Sequence, residues 1–264
     1  MVIGVAGDAA QEADGPAASV RGVAMRFGAN TVFQDVSFEV RRGEVFVILG
    51  GSGCGKSTLL KLMIGLRPPS AGTITILGED IVALRGEARR RLKQRFGVMF
   101  QSGALFGSMS VLENVALPIA SFTALPAEAI ERIARTKLGL VGLADAALRM
   151  PSQLSGGMIK RAAIARAIAL DPPLVFLDEP AAGLDPITSA GLDSLILSLA
   201  RDLGITFVVV THELASILTI ADRVIMLDKE AKGVIAEGDP RRLKDESTHP
   251  IVRAFFHRTE PGAR

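Results

Sequence analysis

Hydrophobic and polar positions in the first third of the chain predict strands followed by a helix. Residues 20–27 and 31–40 are two predicted strands of an antiparallel region, and the second has the roughly period-two apolar spacing of a half-buried strand. Residues 44–50 are an unbroken apolar run that ends in glycines, which is typical of a buried parallel strand. A helix is predicted at 56–66, before Pro68 and Pro69, and a short strand at 72–78.

The middle of the chain changes from mixed patterns to helical ones. A charged helix is predicted at 86–94 and a strand at 95–101. From about 102 to 170 only helical periodicity is found, at 111–119, 127–142 and 156–170. We interpret this stretch as a helical subdomain inserted between two strands of a sheet.

Alternation of strand and helix resumes after this insertion. The pattern predicts strands at 174–180 and 205–212, a helix at 188–204, and a closing hairpin from 223–228 and 232–238. Two short helices are expected after it. The predicted organisation is a flexible amino-terminal tail (1–19), a main α/β domain (20–240) and a carboxyl-terminal helical extension (241–264).

Composition narrows the protein class. The 264 residues include 30 basic and 28 acidic side chains, so the near-neutral charge disfavours a nucleic-acid partner held by bulk electrostatics. The mean hydropathy of +0.35 is high, yet the longest apolar runs, 59–66 and 205–210, are far shorter than the roughly 18 residues of a spanning helix. No signal-peptide pattern is found at the amino end. A single cysteine, Cys54, excludes an internal disulfide and favours a reducing cytoplasm.

The most specific motif is GGSGCGKS at 50–57, between a predicted strand and a predicted helix. Glycines let backbone N–H groups converge on phosphates, and the helix dipole adds positive potential. A lysine contributes a point charge, and a serine hydroxyl suits Mg²⁺. A glycine-rich turn with a surface lysine is the alternative, and the strand–helix context disfavours it. The predicted phosphate-binding residues are Gly50, Gly51, Ser52, Gly53, Cys54, Gly55, Lys56, Ser57 and Thr58.

Two carboxylates follow the apolar run of LVFLDEP at 174–180. Open α/β sheets bind ligands at the carboxyl ends of their strands, which is where Asp178 is expected. Asp178 is a candidate Mg²⁺ ligand, and Glu179 a candidate acceptor for the proton of an attacking water. The alternative is a solvated structural pair, which a neighbouring phosphate loop makes the weaker interpretation.

A second anion-binding segment is LSGGM at 154–158. Ser155 is a suitable helix N-cap, and Gly156 and Gly157 leave backbone N–H groups exposed at the positive end of the helix dipole. The chain already has a phosphate loop, so this segment suggests the nucleotide of a partner subunit as its ligand. An ordinary capped helix is the alternative.

Six ordered motifs resemble those of ATP-binding-cassette (ABC) ATPases over residues 20–240. They are the phosphate loop, Gln101, LSGGM, VFLDEP, AGLD at 182–185 and His212. The resemblance implies an α/β fold: a P-loop NTPase ABC nucleotide-binding domain with an antiparallel β subdomain and an inserted helical subdomain. It also implies a head-to-tail dimer of two copies of this chain around two ATP molecules.

The resemblance further implies individual roles. Phe27 would stack on adenine in place of the more usual Tyr, and Gln101 would contact Mg²⁺ and sense the γ-phosphate. Ser155, Gly156 and Gly157 would hold the ATP of the opposite subunit, while Asp185 would link the two sites. His212 would polarise the γ-phosphate or the attacking water.

Within this family, segments at 101–106, 150–158, 166–172, 185–188 and 249–256 resemble the ATPases of bacterial phospholipid transporters that maintain outer-membrane lipid asymmetry. This implies an integral-membrane permease and an MCE-type lipid-binding protein as partners, with a small STAS-domain protein left open. The expected location is the cytoplasmic side of the inner membrane, peripheral through the permease. Other transporter ATPases, for solute import or lipoprotein release, are the alternative, and a DNA-acting ABC ATPase is a weaker one.

One further expectation concerns the thiol in the phosphate loop. The helix N-terminus and Lys56 are both expected to favour the Cys54 thiolate, which would make its labelling report on nucleotide occupancy. The alternative is a small side chain that is turned inward and inert.

Overall fold

The computed structural model describes residues 15–259. Most of the predicted amino-terminal tail, 1–14, lies outside these residues. For residues 17–19 that prediction is wrong, because Ala17 and Ala18 are buried and the first strand begins at Ala18. Residues 17–19 therefore belong to the folded core.

The predicted antiparallel region is a four-stranded sheet. Strand β1 pairs antiparallel with β2 on one side and with β4 on the other, and the short β5 follows β4 as an edge strand that the sequence pattern did not predict. The order is β2-β1-β4-β5. The strands are β1 (Ala18–Phe27), β2 (Asn30–Val40), β4 (Ala71–Ile76) and β5 (Glu79–Asp80).

A second sheet has six strands and is parallel except at one edge. Its order is β10-β9-β3-β8-β7-β6, and only the β9–β10 pair, the predicted closing hairpin, is antiparallel. The carboxyl ends of β3, β7 and β8 consequently lie side by side. The strands are β3 (Val45–Gly50), β6 (Phe96–Met99), β7 (Leu174–Asp178), β8 (Thr206–Val210), β9 (Arg223–Asp228) and β10 (Gly233–Gly238).

Nine α-helices are described, three of them, α3 to α5, between β6 and β7. The helices are α1 (Lys56–Met63), α2 (Gly86–Gln94), α3 (Val111–Phe122), α4 (Ala127–Leu140), α5 (Gly156–Ala167), α6 (Pro186–Leu203), α7 (Leu214–Ile220), α8 (Pro240–Glu246) and α9 (Pro250–His257). The sequence pattern missed α7. Among the described residues, none of the helices has the length and hydropathy needed to cross a bilayer.

The core has two layers, one on each face of the six-stranded sheet. Alternate residues of β3 go to opposite layers: Val47 and Leu49 pack with α3 to α7, whereas Phe46 and Ile48 pack with α1 and the four-stranded sheet. Because both faces are covered, the strand reads as a continuous apolar run.

Candidate functional site

A cavity of about 700 Å³ opens at the carboxyl ends of β3, β7 and β8. Strand ends from distant parts of the sequence, joined by the parallel sheet, bring its polar groups together. Eleven of the predicted site residues line it, together with two residues that were not predicted. The lining residues are Val32, Gly50, Gly51, Ser52, Gly53, Gly55, Lys56, Ser57, Thr58, Gln101, Glu179, His212 and Phe255.

The phosphate loop turns sharply at glycines where no other residue fits. Gly50 has φ +146°, and a Cβ there would lie 2.2 Å from the Leu227 carbonyl oxygen. Gly55, with φ +102°, is the N-cap of α1, and no side chain hydrogen-bonds the first turn of that helix. The N–H groups at the start of α1 can therefore bind an anion.

The Lys56 ammonium lies at the edge of this cavity. Its Nζ donates to the carbonyl oxygens of Gly50, at 2.8 Å, and Gly51, at 2.9 Å. These bonds keep the charge beside the loop that supplies the free N–H groups. The loop thus combines a cation with a row of donors, which is the arrangement a polyphosphate requires.

Ser57 and Asp178 provide two oxygen ligands side by side. The Ser57 hydroxyl donates to Asp178 Oδ1 at 3.2 Å. Burial raises the pKa of Asp178, and the hydrogen bond from Ser57 opposes this shift. A bound cation would relieve the cost of keeping this carboxylate charged, so the donor set fits Mg²⁺, which needs few protein ligands beside phosphate oxygens and water. The described residues have no cluster of three or more His, Cys, Asp or Glu suited to a metal.

Glu179 is held in an unusual conformation beside this pair. Its backbone has φ +47°, a left-handed value that costs a non-glycine residue energy, and its N–H donates to the Val210 carbonyl at 2.8 Å. Oε1 of Glu179 lies 2.7 Å from Nδ1 of His212. Oε2 is buried without a protein hydrogen-bond partner, so one oxygen of this carboxylate is available to accept a proton.

Gln101 reaches the cavity from the loop after β6, the edge strand that pairs with β7. It lies two residues after β6 ends, and its side chain is exposed. It also lines a second cavity, of about 590 Å³, into which Asp178 and Lys160 face. The loop at 100–104, called the Gln101 loop below, therefore lies between the main cavity and a neighbouring one.

The LSGGM segment lies apart from the main cavity. The Ser155 hydroxyl caps α5 by accepting from the Met158 N–H at 3.3 Å. At Gly157 a Cβ would lie 2.4 Å from Cγ2 of Thr188, so close packing of α5 on α6 requires glycine there. Asp185 caps α6 through the N–H groups of Ile187 and Thr188, and the hydrogen bond from the Thr188 hydroxyl lowers the pKa of Asp185. Neither Ser155 to Gly157 nor Asp185 lines the main cavity.

Phe27 also lies outside the residues that line the main cavity. Phe27 is 44% exposed, and the Arg67 guanidinium lies over its ring, 5.0 Å from the centroid. Phe27 is the last residue of β1, and Arg67 covers one face of its ring. The adenine-binding role of Phe27 stays a prediction.

The two lining residues that the sequence did not predict are Val32 and Phe255. Val32 is on β2, and it gives no sign of a ligand contact because it fits the alternation of that strand. Phe255 is on α9, and its ring meets that of Phe256 edge to face, with centroids 5.4 Å apart. Phe256 is buried in the core of the same chain. Only tertiary packing brings Phe255 to the phosphate loop.

The expectation of a reactive Cys54 thiolate is wrong. Its side chain is 2% exposed, and burial raises the pKa of Cys54 although Lys56 acts in the opposite direction. A Cβ on Gly50 would lie 2.8 Å from the Cys54 sulfur, which shows that Sγ points into the loop and not into the cavity. The inward, inert alternative is the one that the structure supports.

We therefore expect Cys54 to react slowly with a maleimide in the folded protein. Labelling should be at least about 100-fold slower than in the urea-unfolded chain, because reagent reaches the thiol only after local opening. Mass spectrometry of timed samples measures this rate, and the unfolded chain is the control. Labelling of native and unfolded protein at equal rates would contradict the buried position of Sγ.

Comparisons with known proteins agree with this geometry. Residues 33–182 match the sequence model of the ABC transporter family. The intermembrane phospholipid transport ATP-binding protein MlaF of Escherichia coli is 44% identical over 238 residues, which are 90% of this chain and 87% of that protein. A probable ribonucleotide transport ATP-binding protein, mkl of Mycobacterium leprae, is 40% identical over 92% of this chain and 69% of its own length.

A solved structure extends this similarity to the fold. The dimeric ATP-binding cassette MJ0796, in a post-hydrolysis state with ADP and Pi, superposes with a TM-score of 0.76 at 30% identity, and the superposition covers 84% of this chain and 98% of that one. The α/β cassette predicted from the sequence is therefore confirmed.

Proposed function

This chain belongs to the ABC transporter family and is an ATPase of that family, and from this premise we propose that it works as a dimer that drives an integral-membrane permease. The proposed cargo is phospholipid, moved between the inner and outer membranes of a bacterium. The observation that carries the ATPase assignment to particular residues is the single cavity that unites the phosphate loop with Gln101, Glu179 and His212.

In the proposed site the phosphate loop and Lys56 hold the β- and γ-phosphates of ATP. The N–H groups at the start of α1 meet phosphate oxygens, and Nζ of Lys56 exchanges its bonds to Gly50 and Gly51 for contacts with phosphate. Ser57, Asp178 and Gln101 would hold Mg²⁺. When bound, Mg²⁺ neutralises negative charge on the phosphates.

Glu179 is the proposed general base. Its Oε2 has no protein partner, so this oxygen can accept the proton of the attacking water. Its other oxygen contacts Nδ1 of His212, which fixes the carboxylate and leaves Nε2 of the ring able to face the γ-phosphate. Phe27 is proposed to stack on the adenine.

The dimer completes each site in this proposal. The backbone N–H groups of Gly156 and Gly157, with Ser155, bind the γ-phosphate of the ATP held by the other subunit. Asp185 caps α6 next to this segment and would connect the two sites. The similarity to a cassette that was solved as a dimer supports the dimer itself.

The phospholipid assignment rests on the similarity to MlaF. The permease, an MCE-type lipid-binding protein and a second copy of this chain are the proposed partners, with a STAS-domain protein as a further candidate and no nucleic acid. The test is reconstitution of the permease complex in vesicles with a fluorescent phospholipid. We expect ATP-dependent phospholipid movement that Glu179→Gln abolishes. ATP-dependent movement of ribonucleotides without phospholipid movement would contradict the cargo.

We expect the chain to associate with membranes only through its permease. The basic helix α2 is a weak anchor alone, because one helix with exposed cations binds headgroups reversibly. When produced alone the chain should stay in the supernatant after ultracentrifugation, and with its permease it should pellet.

A wash at 1 M salt is the control for this experiment. High salt screens attraction to anionic headgroups, so association that survives the wash reflects contact with the permease. Strong binding of the isolated chain to protein-free vesicles would contradict the proposed mode of attachment.

A further inference from the structure

A buried lysine on α5, the helix that begins in the LSGGM segment, contacts both the loop that carries Gln101 and the loop that carries Glu179. Lys160 is 6% exposed and lies one and a half turns into α5, whose N-cap is Ser155. Its Nζ donates to the backbone carbonyl of Gln101 and, at 3.4 Å, to the backbone carbonyl of Glu179. One ammonium group thus contacts the loop after β6 and the loop after β7.

The same helix holds the rest of the Gln101 loop. Arg166, near the carboxyl end of α5, donates to the carbonyl oxygens of Gly103 at 3.0 Å and Ala104 at 2.8 Å. At Gly103 a Cβ would lie 2.9 Å from Cγ2 of Ile159, so the loop also packs directly on α5. Because of these contacts, we treat α5 and the Gln101 loop as one rigid unit.

Among the hydrogen bonds of residues 15–259, the one from Lys160 is what links this unit to Glu179. The Glu179 backbone has a left-handed φ, a conformation that persists only where its surroundings hold it. Burial lowers the pKa of Lys160, and the negative charges of Glu179 and Asp178 oppose that shift. The Lys160 ammonium therefore lies where its desolvation costs free energy. The two backbone carbonyls and the carboxylates of Glu179 and Asp178 offset this cost.

We propose that Lys160 is a positioning residue for ATP hydrolysis, which aligns Gln101 and Glu179 with each other and links their alignment to the position of the LSGGM segment. This inference rests on the proposed function. Movement of α5, when Ser155 to Gly157 engage the partner subunit's ATP, would pass through Lys160 to the base of its own subunit. The Lys160 side chain does not line the main cavity, so in this proposal it acts through the two backbone carbonyls.

The test compares substitutions of Lys160 in the full-length chain assembled with its permease. Lys160→Met keeps the length and removes the charge and the donors, and we expect kcat for ATP hydrolysis to fall about tenfold or more while the Kd for ATP changes less than about threefold. Lys160→Arg restores charge and donors, and the neighbouring 590 Å³ cavity has room for the larger head group. We expect it to recover most of kcat.

Lys137→Met is the matched control. Lys137 is equally buried, at 6% exposure, but its ammonium bonds to Asp171, away from both loops. This variant removes a buried lysine from the same group of helices, so we expect kcat to stay within about twofold of the wild type. An equal loss of kcat in both variants would mean that a general loss of stability explains the effect, and would overturn the proposal.

A double mutant separates this inference from the proposed function. If Lys160 acts through Glu179, Lys160→Met should lower the residual rate of Glu179→Gln by less than about twofold. If Lys160→Met does not fold, Lys160→Ala, which also removes the charge and the donors, is measured in the same way. Full activity in Lys160→Met or Lys160→Ala overturns the inference alone, whereas full activity in Glu179→Gln overturns the assignment of the base.

Discussion

Replacing Glu179 with glutamine is expected to lower the rate of ATP hydrolysis by about 10²- to 10⁴-fold, the usual contribution of a general base. Glutamine keeps the shape and the contact to His212 but cannot accept a proton. ATP binding should be unchanged, because the phosphate loop and Lys56 are intact. The ATP-bound dimer should therefore accumulate.

Steady-state hydrolysis, equilibrium ATP binding and gel filtration with ATP measure the three parts of this prediction. Glu213→Gln is the matched control. Glu213 is a second acidic residue beside His212, with its Oε1 3.9 Å from Nε2 of the ring, but it does not line the cavity. We expect this control to hydrolyse ATP within about threefold of the wild type. Equal rates in Glu179→Gln and wild type would rule out Glu179 as the base.

Replacing Lys56 with methionine is expected to weaken ATP binding about 100-fold, or about 2.7 kcal/mol. Hydrogen bonds between charged groups are worth about 1.5–3 kcal/mol each, and this lysine is the cation of the loop. The fold should persist, because Lys56 bonds only to the carbonyls of Gly50 and Gly51 in the described structure. Titration with a fluorescent ATP analogue measures the affinity.

Lys61→Met provides the control for charge. Lys61 lies on the same helix and is exposed, and it lines the second cavity and not the main one. Its removal changes the net charge equally, so ATP affinity should stay within about threefold of the wild type. Similar losses of ATP affinity in both variants would indicate that long-range charge is the cause. Such a result would contradict the assignment of a direct phosphate contact to Lys56.

The local patterns that the sequence carries are reliable where one physical requirement dominates. Helix α2 has the predicted bounds, 86–94, because its polar pattern begins at Gly86 and is followed at once by strand β6. The apolar run of β3 indicated burial on both faces, and both core layers contact it. Three of the four glycines of the phosphate loop, Gly50, Gly53 and Gly55, have positive φ values, as the tight turn of that motif requires.

Short or weakly patterned elements were missed. Helix α7 has only seven residues and no side-chain cap, so its stability comes from packing Ile217 and Ile220 into the core and not from local signals. Strand β5 has two residues, which is too short for any periodicity. The first strand begins at Ala18, two residues earlier than predicted. The pattern missed this start because alanine has little strand propensity, whereas in the structure Ala17 and Ala18 are buried by their neighbours.

The sequence by itself determined the fold class and most residues of the candidate site, since both follow from spacing along the chain: glycines in the phosphate loop, and a carboxylate pair after a buried strand. Only the tertiary structure decided the burial of Cys54, the arrival of Phe255 at the phosphate loop and the contact of Lys160 with two distant carbonyls. Each of these depends on the direction of a side chain toward residues far away in sequence. Such directions are set by the packing of helices on the sheet, which no local pattern encodes.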